Sequence, residues 1–413
     1  MSSSAVVSLE QTAAHLASIV GEEHTHLSGQ TISAYPANAS EIAEVLRFAD
    51  SAGLAVTPTG GGTKLGWGNS VAAPILLGLG RMAALREHSW HDMTCTVEAG
   101  CAWNVMQAQL ALHGQMVAVD PLWPDRATAG GIVSTNDGGA LRLRYGSLRD
   151  LILGMTVVLA EGSITKSGGK VVKNCAGYDL PKLMTGGFGT LAVIASVNFR
   201  LHPLEKHARA WTATAPDPAE LRAPLHALLD SQMIPCSAQL RMGPQECALD
   251  VRVAAVPECL REHEVRLQQI FAPVALAEPD PSVWRARESL FAQPGALVLK
   301  VTLLPADLCS IAAELRQQAA KDQIELAIVA QAFGLMTVAL TAPPDAAFLF
   351  VERLRARLRP SGGSVVALQV PDSLRGRLEV WDCQSNALPL MREIKRRFDP
   401  NRILNPGRFV GGI

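Results

Sequence analysis

Apolar residues Ile42, Val45, Leu46 and Ala49 recur at i, i+3, i+4 and i+7, one face of an α-helix. Asn38 and Glu41 precede them at capping-box spacing, with Ser40 as a second cap, and Gly53 is placed to close the helix in a left-handed conformation. The period then shortens. Residues 54–57, 74–79 and 94–98 read as short strands, with a glycine-rich loop over 58–68 between the first two. Residues 102–113 read as helix and 120–139 as loop. The apolar runs 152–160 and 190–201 read as buried strands. Helix, strand, loop, strand, strand predicts an α+β arrangement rather than regular βαβ units.

The pattern changes after Pro203 and the charged Glu205-Lys206-His207, where a domain boundary is expected. Amphipathic stretches over 220–229, 259–271, 305–320 and 346–358 alternate with strand-like runs over 248–255, 296–304, 327–340 and 364–370. Pro224 falls inside the first of these helices. The alternation predicts helices on one face of an antiparallel sheet. The uncharged stretch 326–344 invites reading as a membrane span, but Gln331, Gly334 and two closing prolines interrupt it. Two buried strands around Gly334 are expected instead. Near the end, Leu390, Ile394 and Phe398 mark a helix face. Lys395, Arg396 and Arg397 suit the negative end of its dipole, and Asp399-Pro400-Asn401 stops it. Three segments result: 1–207, 208–375 and 376–413.

Composition narrows the function classes. With 48% apolar and 18% charged residues in 413, disorder for want of a core is excluded. The 37 basic residues balance 38 acidic ones, so there is no basic excess to neutralise nucleic-acid phosphates. The eight cysteines form no C-x-x-C pair, which argues against iron–sulfur and structural zinc sites and suits a reducing compartment. No basic region followed by an apolar run opens the chain, so no signal peptide is expected. A cytoplasmic location follows as the expectation, with any approach to the inner membrane made through partners.

The sharpest chemical feature is Pro58-Thr59-Gly60-Gly61-Gly62-Thr63-Lys64-Leu65-Gly66-Trp67-Gly68. Three adjacent glycines after a strand let successive N–H groups point into one concavity, a nest for phosphate or pyrophosphate. Thr59 and Thr63 add hydroxyl donors. The spacing is not that of a P-loop. Gly78-Leu79-Gly80-Arg81-Met82-Ala83 matches a dinucleotide fingerprint only formally, since no full helix follows before residue 94. A second cluster, Gly130-Gly131 to Gly138-Gly139, brackets Ser134, Thr135, Asn136 and Asp137 and is followed by Arg142, Arg144 and Tyr145. A third covers residues 171–180 and Gly186-Gly187-Phe188-Gly189-Thr190-Leu191. A last one spans Asp399 to Arg408.

In this order, over residues 30–203 and the C-terminal tail, these pieces resemble the FAD-binding domain of the vanillyl-alcohol oxidase/PCMH flavoprotein family. The Gly-Gly-Gly-Thr-Lys-Leu-Gly-Trp-Gly and Lys-Asn-Cys-Ala-Gly-Tyr-Asp segments are similar, more narrowly, to the smaller FAD-binding subunits of bacterial glycolate oxidase. The resemblance implies an α+β fold: a PCMH-type FAD-binding domain of two α/β subdomains, a smaller antiparallel-sheet-and-helix domain, and a tail returning to the first. It implies FAD, with Thr59, Gly60, Gly61, Gly62 and Thr63 holding the pyrophosphate and Pro58 and Gly68 also at the cofactor. Gly130, Gly131, Ser134, Thr135 and Gly138 would lie along the flavin and ribityl chain. Ile194 would meet the adenine side, and Asn405 and Arg408 would approach the isoalloxazine. Covalent members carry a histidine just after the loop's turn. Gly62-Thr63 stand there instead, so non-covalent FAD is expected. The resemblance also implies partners: a larger catalytic FAD subunit and an iron–sulfur subunit.

Oxidation of a 2-hydroxy acid needs a cation for the carboxylate, a base or metal for the hydroxyl proton, and a hydride acceptor. Related stand-alone dehydrogenases use a histidine-rich metal motif in the second domain. Here the last of ten histidines is His263, and past the boundary only His226 and His263 occur, both on helix patterns. No metal site is expected. Arg241, Arg252, Arg353 and Arg375 could hold a carboxylate, but spacing singles out none. An electron-transfer or accessory FAD subunit is therefore the leading expectation. An independent 2-hydroxy-acid dehydrogenase and a flavin-free scaffold are the alternatives.

Overall fold

The computed structural model describes residues 8–169, 179–244, 246–382 and 386–413. The helix expected after Asn38 spans Ala39–Ala52. Asn38 Oδ1 accepts the amides of Ser40 and Glu41 at 2.9 and 3.0 Å, and the Glu41 carboxylate reaches back to the Ala37 amide at 2.7 Å. Gly53 closes it at φ 65°. Ile42, Val45, Leu46 and Ala49 are all fully buried.

That helix shares a core with a sheet of four strands in the order Thr25–Ser28, Thr31–Ala34, Ile75–Gly78, Val56–Thr59. The last two join in parallel and the first pair is a hairpin. An antiparallel five-stranded sheet follows: Leu85–Ser89, Thr94–Glu98, Val193–Arg200, Ile152–Val158, Ile164–Gly168. One continuous apolar core joins both sheets and also takes in Ile403 and Leu404 from the tail. The tail is tied in by backbone: Val56 donates to the Ile403 carbonyl at 2.7 Å, and Asn405 donates to that of Val56 at 3.0 Å. Lys395 Nζ, buried, donates to Thr190 and Leu404 carbonyls and to Asp399.

From Ala208 the chain builds a separate sheet of eight strands, antiparallel throughout. The helices Arg222–Leu229, Pro257–Phe271, Leu308–Asp322 and Pro344–Leu358 share a core with it. Pro224 is tolerated because it falls in the helix's first turn, where an N–H would lack an intrahelical partner anyway. The uncharged stretch is a hairpin of Glu325–Gln331 and Leu335–Thr341 about Gly334 (φ 93°). Among the described residues no helix is long and apolar enough to cross a membrane.

Several elements escaped the periodicity reading. The helix Leu9–Val20, with a Ser8–Gln11 capping box, was not expected. Nor were the strands Ala208–Ala215 and Ser237–Met242. The stretch 120–139, read as loop, contains the helix Ala129–Thr135. Its two early glycines hid it. Thr128 stands at its N-cap position, and Asn136 at φ 48° ends it.

Candidate functional site

The glycine-rich loop leaves strand Val56–Thr59 and lies against the approach to the Ala129–Thr135 helix. The approach leaves no room for side chains. A Cβ on Gly60 would sit 1.9 Å from Thr128 Oγ1, one on Gly61 1.7 Å from the Arg126 carbonyl oxygen, and one on Gly130 2.6 Å from Ala99 Cβ. Gly62 turns the loop at φ 69°, a conformation glycine adopts without strain. The amides of Gly61, Gly62 and Thr63 bond to no backbone carbonyl among the described residues.

A groove runs along this contact. One end is lined by Pro58, Thr59, Gly60, Gly130, Gly131, Ser134 and Ile194, with Gly187, Gly189 and Leu191 from the third cluster. The other is lined by Gly61, Gly62, Thr63, Lys64, Thr128, Thr135 and Arg408, and again by Thr59, Gly131 and Ser134. The fit to FAD rests on three observations. Thr128 Oγ1 is buried with no hydrogen-bond partner among the described residues. The glycines hold backbone where any Cβ would collide with the opposite wall. No Asp or Glu lines either end, which leaves the groove open to an anionic pyrophosphate. No described lining residue is His, Cys or Tyr, the side chains that could carry a covalent flavin link.

Three expected residues stand elsewhere. Gly68, at φ 81°, turns the loop's far end against the Arg408 carbonyl. Asn405 lies behind the groove wall. Its amide donates to the Phe188 carbonyl at 2.7 Å, and its Oδ1 is buried without a partner among the described residues. Gly138 lines a different cavity. Arg408 lines the groove, but its guanidinium is engaged by the loop, donating to the Lys64 and Trp67 carbonyls at 2.9 and 3.1 Å. Burial lowers its pKa to about 10. Arg408 thus fastens the tail to the glycine-rich loop. Phe409 packs on its own chain against Phe188 and Trp381. Residues 171–178 of the third cluster lie outside the described residues.

The second domain meets the first at a buried charge triad. Asp137 pairs with Lys64 at 3.3 Å and with Arg287 at 3.1 Å, and accepts the Leu122 amide at 2.8 Å. Burial alone would raise the Asp137 pKa, yet Arg287 and Lys64 hold it below the usual carboxylate range. Arg287 also donates to the Gly138 carbonyl at 2.7 Å.

Beside the triad a cavity opens between the domains. Ser134 and Thr135 line the groove, and the next residues, Asn136 and Gly138, line this cavity with Asp120, Arg142, Lys300 and Leu335. Lys300 belongs to strand Leu297–Thr302. Leu297, Leu299 and Val301 enter the helix-covered core, so alternation turns Lys300 to the opposite face, toward the first domain. Burial pushes its ammonium below the usual lysine range, with Asp137 opposing and Arg287 and Arg142 reinforcing. Arg142 is exposed at the cavity and lies 5.0 Å from the Phe333 ring. Lys300, Asp120 and Arg287 were not anticipated. The available signal for Lys300 was a lone charge in the apolar run 296–304.

The four arginines weighed as carboxylate ligands are engaged otherwise: Arg241 with Asp250 at 2.6 Å, Arg252 with Glu205 at 2.9 Å, Arg353 with Asp322 at 3.0 Å and Arg375 with Asp372 at 2.7 Å. His226 is half-buried, its Nε2 3.1 Å from the Ala306 carbonyl. Among the described residues no group of three His, Cys, Asp or Glu side chains could hold a metal.

The family described as "FAD binding domain" matches residues 31–168, and that described as "FAD linked oxidases, C-terminal domain" matches 382–409. A D-lactate dehydrogenase of Archaeoglobus fulgidus is 27% identical over 409 residues, covering 91% of this chain and 90% of that protein. The glycolate oxidase subunit GlcD of Bacillus subtilis is 33% identical over 169 residues, 41% of this chain and 36% of that subunit. The solved structure of 4-ethylphenol oxidase from Gulosibacter chungangensis superposes with a TM-score of 0.71 at 14% identity, covering 97% of this chain and 96% of that one. At that identity the likeness speaks for the fold alone.

Proposed function

We propose that this chain is a PCMH-type FAD-linked oxidoreductase that oxidises a small 2-hydroxy acid in the interdomain cavity. The carrying observation is Lys300, the one charged residue of strand Leu297–Thr302, turned into a cavity that adjoins the FAD groove. The names of the relatives, a D-lactate dehydrogenase and a glycolate oxidase subunit, support a substrate of this class. FAD held by the groove supplies the two-electron acceptor. Lys300 supplies the charge that a carboxylate needs on leaving water, with Arg142 beside it, and a partly desolvated site strengthens that attraction.

In the finer reading, the chain works as the FAD-binding subunit of a glycolate-oxidising complex, beside a larger catalytic flavoprotein and an iron–sulfur subunit. The absence of any histidine beyond His263 supports it, since the histidine-rich metal motif of stand-alone relatives has no counterpart in the sequence. A stand-alone dehydrogenase is the second reading. The near full-length match to a D-lactate dehydrogenase and the Lys300 cavity favour it. The test is anaerobic addition of glycolate or D-lactate to the purified, FAD-loaded chain, followed by the visible flavin spectrum. Bleaching only after partner subunits are added supports the complex. Bleaching by the chain alone establishes the second reading. No bleaching in either state removes 2-hydroxy acids as substrates.

A further inference from the structure

A carboxylate-binding cation accounts for one of the needs of such an oxidation. The hydroxyl proton also needs an acceptor, and among the described residues no histidine lines the cavity. Asp120 does line it. Its Oδ1 accepts the amides of Gly139 and Leu141 at 3.0 and 3.2 Å, which fixes the carboxylate's orientation. Gly139 makes the placement possible, since a Cβ there would lie 2.5 Å from Asp120 Oδ2. Oδ1 thus takes both backbone donors, and the carboxylate shares its cavity with Lys300 and Arg142.

We propose that Asp120 is the catalytic residue that accepts the hydroxyl proton of the substrate. The inference rests on the reading of the cavity as a 2-hydroxy-acid site, and holds whether or not the chain works with partners. The α-hydroxyl O–H bond breaks and its proton passes to Asp120. The oxygen's freed electron pair would form the carbonyl as the α-hydrogen leaves with its own pair, for which FAD held in the groove would supply the two-electron acceptor, giving a 2-oxo acid. One proton and one hydride leave the acid, and the carboxylate stays on Lys300.

The surroundings suit this task. Burial pushes the Asp120 carboxyl up to about 6, opposed by Arg287 and by the backbone donors. A base with a pKa near the working pH both holds and releases a proton readily. The charged groups around it are Arg287, which reaches the Asp120 carbonyl at 3.4 Å, Asp137 paired to Arg287, and Lys300 and Arg142 on the cavity wall. Of these, Lys300 is the other group whose proton burial loosens, so the test must separate the two.

Oxalate serves as the probe. It is a dianion near neutral pH and has no α-hydrogen to lose, so one carboxylate can occupy Lys300 while the other meets Asp120 where the hydroxyl would be. Titration calorimetry of the full-length, FAD-loaded protein is run between about pH 5.5 and 8, in buffers of different ionisation heat, so that proton uptake is counted in the wild type alone. One proton is expected to be taken up on binding above pH 6, with affinity falling about tenfold per pH unit. Asp120→Asn, with its flavin content and melting temperature checked first, is expected to bind oxalate with affinity nearly independent of pH. A flat wild-type profile, or an unchanged slope in Asp120→Asn that assigns the proton to Lys300, overturns the proposal while leaving the carboxylate site intact. Failure of oxalate to bind at any pH overturns the cavity reading itself, and the Asp120 assignment with it.

Discussion

The FAD groove and the interdomain cavity adjoin along the chain, yet they are built from opposite materials. The groove is made of backbone, hydroxyls and missing side chains: Gly60, Gly61 and Gly130 sit where a Cβ would meet another wall at 2.6 Å or less. The cavity is made of side chains, Lys300 and Arg142 with Asp120, drawn from segments far apart in sequence. A site made of backbone tolerates almost no substitution at its glycines. A site made of side chains tolerates many at the level of the fold, and loses its chemistry one group at a time.

The largest effect should come from breaking the backbone site. In Gly61→Asp the new Cβ meets the Arg126 carbonyl, and a carboxylate enters the pyrophosphate nest, where repulsion between charges about 4 Å apart reaches several kcal/mol at an effective dielectric near ~20. Flavin should be lost on gel filtration, read as visible absorbance per protein. Gly66→Ala sharpens the contrast, because nothing lies within 4 Å of a Cβ there and FAD should stay bound. A folded Gly61→Asp variant with full flavin would show that the groove is misassigned.

The triad joining the two regions comes next. Asp137→Asn leaves Lys64 and Arg287 buried without their counter-charge and should cost about 3–5 kcal/mol, read by chemical denaturation. Because its two cations hold the folded-state pKa of Asp137 below the unfolded value, its contribution is present above the unfolded pKa near ~4 and lost as pH falls through the folded one. The gap between wild type and variant should therefore narrow below about pH 4. A gap constant down to pH 3 would mean that the pairing contributes nothing.

Lys300→Met tests the side-chain site. Flavin content should be unchanged, while KM for the acid rises roughly 30- to 100-fold, the ~2–3 kcal/mol of a charge-assisted contact. Loss of flavin instead of affinity would move Lys300 from the substrate side to the cofactor side. The smallest effect is expected at the tail. Phe409→Ala removes a half-buried ring from the contacts with Phe188 and Trp381 and should cost about 1–2 kcal/mol with FAD retained.

The two regions also differ in how far the sequence alone discloses them. A backbone nest requires consecutive glycines after a strand, so the sequence points to Pro58–Thr63 and Gly130–Thr135, segments that the structure brings together along one groove, while the helix carrying the second set reads locally as loop. Local periodicity likewise placed the Ala39–Ala52 helix, the Thr94–Glu98 strand and the hairpin about Gly334, because each depends on neighbours within a few residues. The lone lysine in the run 296–304 was visible, but nothing local told which way it points or what it faces. Strand alternation in the folded sheet turns Lys300 from the helices, and docking of the sheet on the first domain brings it to Asn136 and Asp120. Arg408 shows the same limit. Its position in the tail drew attention to the flavin, yet tertiary packing spends its donors on loop carbonyls. Sequence by itself determined where the backbone must be bare. Which charges meet across the domain interface was decided by tertiary structure, because side-chain encounters between residues more than a hundred positions apart depend on sheet register and domain docking, which leave no local trace in the chain.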